Sequence, residues 1–130
     1  MVLQRPSKHY GLAVIVELKR LHSPDVQDLR NWEPESQDFA IQLQTVVGPK
    51  GSPGEESFDV TLCTPGWVEL QTQSQGIVSG HHLLIVAYYS YDLIYQYISK
   101  YLATCTGNTW QEVATKISRL GYWEFEDYNP

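Results

Sequence analysis

Positive charge is scarce in this chain of 130 residues: nine Lys and Arg stand against 15 Asp and Glu, for a formal net charge of −6. The few cations, among them Arg5, Lys8, Lys19 and Arg20, are scattered and form no basic footprint. Such a chain repels phosphate backbones, and nucleic acid is not expected as a partner. Cysteine is equally sparse. Cys63 and Cys105 stand alone, in neither a Cys-x-x-Cys nor a zinc spacing, which points to reduced thiols and to no metal. Long hydrophobic runs are missing too. Gly11-Leu-Ala-Val-Ile-Val16 is short and is followed at once by Glu17, Lys19 and Arg20, so it reads as a strand and not as a signal peptide or membrane span. No glycine-rich phosphate cradle exists either, because Gly48 to Gly54 lacks the strand-to-helix context and carries only Lys50. These absences lead us to expect a cytoplasmic protein with no cofactor and no membrane partner.

Hydrophobic residues make up 42% of the chain, enough for a sizeable core without disulfides. One domain over residues 1–130 is expected, ordered from about 10 to 128. Leu12 to Leu21 reads as a strand around the β-branched Val14, Ile15 and Val16. Pro24 to Gln37 is an acidic loop pinned by Trp32, with room for a helical turn over Asp25 to Arg30. Asp38 to Val47 alternates Phe39, Ile41, Leu43 and Val47 against Gln42 and Gln44, the pattern of a half-buried antiparallel strand. The Gly- and Pro-rich turn from Gly48 to Gly54 should pair it with a strand from Phe58 to Thr64, whose Phe58, Val60 and Leu62 oppose Asp59, Thr61 and Cys63. Pro65-Gly66 ends that strand, Trp67 to Leu70 extends or re-enters the sheet, and Gln71 to Gly80 is a mobile connection. Leu83 to Ala87, apolar on both faces, suits a central strand covered on two sides.

The period then changes. Ile94, Tyr97, Ile98, Tyr101, Leu102 and Cys105 recur at helical spacing, with Asp92 favouring the helix dipole and Gly107 placed to end the helix. Thr109-x-x-Glu112 is a capping box for a second helix whose stripe is Trp110, Val113, Ala114, Ile117 and Leu120, with Gly121 as a left-handed stop. The resulting fold class is α+β: an antiparallel sheet of about four strands, a C-terminal two-helix hairpin packed on it, and a final extended segment from Trp123 to Tyr128.

Few residues look catalytic. In a strand His81 and His82 would point to opposite faces, so one site could not readily use both. A reading as a small hydrolase would pair either histidine with Asp59 or Glu124 as general acid and base. Cys63 has no neighbouring base or cation to activate it and reads as a structural thiol. The tyrosines between 88 and 101 suit packing, with Tyr88, Tyr91 or Tyr95 as the alternative candidates for an interface. Two segments combine carboxylates with aromatic anchors: Asp25, Asp28, Trp32, Glu33, Glu35 and Asp38 in the loop, and Glu124, Glu126, Asp127 and Tyr128 behind Trp123 and Phe125 at the end. Either serves as solvated surface or as an acidic rim that captures a basic protein.

Phe58-Asp-Val-Thr-Leu-Cys-Thr-Pro-Gly-Trp67, the apolar stretch opened by His81-His82, the Gly107-x-x-Trp110 helix start and Trp123-Glu-Phe-Glu-Asp-Tyr128 together carry a resemblance. The chain resembles the immunity protein 8 family of bacterial polymorphic toxin systems over roughly residues 10 to 128. The resemblance implies a small cytoplasmic α+β protein that binds and neutralises a cognate toxin domain and brings no catalytic residues. It also implies that Phe58, Cys63, Pro65, Trp67, Trp110 and Trp123 are scaffold, while the loops Asp25 to Asp38, Pro49 to Glu56 and Gln71 to Gly80 carry specificity. A nuclease is a natural target for an acidic protein, with pore-formers, deaminases and other intracellular toxins left open. A protein-interaction or chaperone-like module without a toxin is the alternative, and self-association through exposed tyrosines stays open.

Overall fold

The computed structural model describes residues 13–125. Its backbone is a five-stranded sheet with three helices, an α+β fold as expected, with one strand and one helix beyond expectation. β1 (Val16–His22), β2 (Ala40–Pro49) and β3 (Glu56–Cys63) form an antiparallel meander, with an irregularity in β1 between Leu18 and Arg20. The Gly/Pro turn behaves as its composition dictates: Gly51 and Gly54 take positive φ, and Val47 pairs with Glu56 across the hairpin. The following segment departs from expectation. Trp67 to Leu70 belongs not to the sheet but to α1 (Pro65–Gln75), which also absorbs half of the anticipated mobile connection. Thr64 is its N-cap and Pro65 its first residue, a position where the missing N–H costs nothing. Thr64 Oγ1 accepts from Trp67 N at 3.3 Å and Phe39 N at 3.2 Å, and donates to Asp38 Oδ1 at 3.1 Å.

β4 (Leu83–Ile85) is the second correction. It lies at the end of the sheet order, parallel to the last residues of β3, and Ile85 is exposed. The true centre is β3, which pairs with β2 on one side and shares its other side between β4 and β5 (Tyr122–Trp123). α2 (Tyr91–Ala103) starts at the Ser90 cap and ends at Thr104, before Gly107, whose carbonyl instead accepts from Val14 N at 2.7 Å. Its buried residues are Ile94, Ile98 and Leu102, whereas Tyr97 points outward, so the stripe is narrower than its spacing suggested. α3 (Trp110–Ile117) is capped by Thr109, but Glu112 reaches back to Asn108 N rather than to Thr109. Gly121 does not adopt positive φ; a Cβ there would press on the Phe58 and Asp59 backbone, so close approach to β3 is what requires glycine.

Both C-terminal helices pack on the sheet, and Tyr101 Oη ties α2 to the Lys116 carbonyl of α3 at 3.0 Å. Phe58, Leu43, Leu62, Ile98, Leu102 and Ile117 fill the centre of one core. Among the described residues no helix is long and apolar enough to cross a membrane.

Candidate functional site

The acidic loop between β1 and β2 forms no helix, only a turn at Leu29 to Asn31, and side chains hold it in place. Val26 and Leu29 are buried beneath it, and Trp32 meets Phe39 and Tyr89 edge-on, with ring centroids 5.3 and 4.8 Å apart. Tyr89 Oη donates to the Leu29 carbonyl, and burial, with smaller help from Tyr91 and Asp28, pushes its hydroxyl pKa up to about 12. Asp25 N donates to Ser23 Oγ, while the Asp25 carboxylate accepts from Gln42 N at 2.7 Å. The Asp28 carboxylate accepts from Asn31 Nδ2. Arg30, the loop's one cation, stacks 4.6 Å over the Tyr91 ring, which in turn stacks on Tyr95 at 6.0 Å. Glu33 and Glu35 are exposed and form no ion pair among the described residues. The loop therefore presents free carboxylates on a rigid aromatic base.

The second acidic segment lies elsewhere. Trp123 is buried against Phe58 at 6.0 Å, its Nε1 donating to Glu56 at 2.6 Å, and the strand gives way to a turn at Glu124 and Phe125. Glu126, Asp127 and Tyr128 lie outside the described residues. Trp123 pairs with Phe58 near the start of β3, whereas Asp38 bonds Thr64 just past its end. Six residues of strand, about 20 Å, separate Trp123 from Asp38 along β3.

The histidines are also placed differently from the strand reading. His82 precedes β4 with φ of 60°, which brings its ring 3.5 Å from that of His81 instead of onto the opposite face. Its Nε2 lies 2.6 Å from the Ser118 carbonyl, an acceptor, so Nε2 carries the proton and the ring fastens the approach to β4 onto the end of α3. Asp59 is engaged by Ser57, and no His–carboxylate hydrogen bond occurs among the described residues. No group of three metal-ligating side chains is present among them. Cys63 and Cys105 are free and buried, and burial raises both thiol pKa values, the opposite of activation. Of the other motif residues, Phe58 is wholly buried, Pro65 exposed, and Trp67 and Trp110 half-buried, the Trp110 Nε1 without a partner among the described residues.

An apolar groove of about 480 Å³ between β4 and α2 escaped the sequence reading, which had assigned Leu83 to Ala87 to the sheet interior. Leu93 and Tyr97, one turn apart beside the buried stripe, were its legible trace.

An α+β scaffold whose acidic loop presents carboxylates and whose groove between β4 and α2 presents apolar side chains is the class these observations define. The chain belongs to the immunity protein 8 family, whose model matches residues 16–128, and as such it is an immunity protein, of a kind that neutralises a toxin. No curated protein and no solved structure matches it significantly.

Proposed function

We propose that this chain is a non-enzymatic antitoxin of the cytoplasm that binds one cognate toxin domain and blocks it by occupying its surface. The family match carries this reading. Support comes from the acidic loop, where Glu33 and Glu35 stand unpaired on the Trp32–Phe39–Tyr89 cluster. Exposed carboxylates that give up no internal ion pair suit a basic partner, and a nuclease, with its groove for phosphate, is the favoured toxin class. Asp25 and Asp28 are partly committed to holding the loop, so Glu33 and Glu35 are the principal contacts in this reading, with Asp38 and Trp32 shaping them.

The test is a growth assay. The C-terminal domain encoded by the neighbouring upstream gene is expressed with and without this chain, and the survivors are subjected to co-purification. Rescue accompanied by a one-to-one complex is expected; a harmless neighbour, or rescue without a complex, contradicts the proposal.

A further inference from the structure

The acidic loop accounts for charge but supplies little apolar area, and tight protein recognition needs a dry centre within a polar rim. The fold provides one next to it. Among the described residues nine large hydrophobic side chains are exposed, and four of them, Ile85, Tyr88, Leu93 and Tyr97, line the single groove between β4 and α2. Their exposures are 51, 63, 48 and 54%. Surface hydrophobics scattered singly need no explanation, but a convergent set does.

Backbone geometry leaves the same place unfinished. On either side of β4 the His82 carbonyl accepts from Thr61 N and Val86 N donates to the Cys63 carbonyl, so the Leu83 and Ile85 amide groups alternate away from β3; Leu83 N donates to the Gly80 carbonyl at 3.4 Å, which leaves the Ile85 N–H as the outward donor. On that outer side β4 pairs with no other strand among the described residues. An edge of this kind offers hydrogen bonds as well as apolar contact.

Charge indicates what fills it. No Lys, Arg or His lines the groove. Asp92 is exposed next to Leu93 in the first turn of α2, and the loop bearing Glu33 and Glu35 is fastened to the groove's neighbour Tyr89 through Trp32. We infer that the groove between β4 and α2 is the anchoring site for the toxin, receiving an aliphatic or aromatic side chain flanked by lysine or arginine, with the Asp92, Glu33 and Glu35 carboxylates meeting the flanking cations. This deepens the antitoxin reading and rests on it.

The test measures binding of the purified C-terminal domain encoded by the upstream gene to the full chain by calorimetry, at about 50 and about 300 mM salt. Leu93→Asp and Tyr97→Asp, exposed and expected to fold, should weaken binding about thirty-fold or more. Leu70→Asp, exposed on α1 and outside the three specificity loops, should leave it unchanged. Glu33→Lys with Glu35→Lys should flatten the salt dependence. Hydrogen exchange on the unaltered chain gives a readout free of mutation: the Ile85 amide should gain protection in the complex. Tight binding by the native chain with unaltered affinity of both groove variants and no Ile85 protection overturns the inference and leaves the antitoxin reading standing. Failure of the native chain to bind overturns both. A native dimer that the groove variants dissociate, while toxin affinity persists, assigns the groove to a second copy and also overturns the inference.

Discussion

At the scale of single residues, Thr64 holds more structure than its size suggests. Its hydroxyl ends β3, caps α1, satisfies Phe39 N and orients Asp38, all from a buried position. Thr64→Val keeps the shape but strands two N–H donors, and should cost about 2 to 3 kcal/mol in urea unfolding, whereas Thr64→Ser should recover most of it. Tyr89 yields a pH prediction. Its hydroxyl pKa is raised from 10 to about 12 in the fold, so the native state holds that proton more tightly than the unfolded chain does. The corresponding stability is complete below pH 10 and is lost as pH rises from 10 toward 12. Alkaline unfolding of Tyr89→Phe should therefore be less steep across that window than that of the native chain, while its loop loses one anchor at neutral pH.

At the scale of elements, legibility followed burial. β2 and β3 were readable because one face of each is buried and the alternation of period two survives in the residues themselves. α1 escaped because no residue in it is buried, so selection for a core left no helical stripe; only the Thr64-Pro65 start marked it. β4 misled for the reverse reason, since an apolar run of five can be interior or can be an unfinished edge. Gly121 was correctly singled out but for the wrong cause: tight packing of the α3–β5 connection on β3, not a left-handed turn. Gly121→Ala should lift that connection from the Phe58 and Asp59 backbone and destabilise the protein by about 1 to 3 kcal/mol, measured as a fall in thermal midpoint with Trp123 fluorescence shifted to the red. Of the candidate contacts, the carboxylates were visible as composition, but the separation of Asp38 from Trp123 along β3 depends on strand order, which no local pattern encodes.

At the scale of the molecule, the proposed design is a scaffold that carries recognition at its margins. Both cysteine thiols are buried, His82 is tied to Ser118, and no group of three metal-ligating side chains is present among the described residues. What remains exposed is the chemistry of association: free carboxylates on a loop braced by Trp32, and beside them an apolar groove with an open strand edge. Stoichiometric occupation and catalytic inactivation are distinguishable by counting. The most direct measurement is a calorimetric titration of the upstream-encoded toxin domain with this chain, with the toxin's mass checked afterwards. A single transition at one equivalent, weakening with salt and returning chemically unchanged toxin, is the predicted result; absence of binding, or toxin altered by a small fraction of an equivalent, would contradict it.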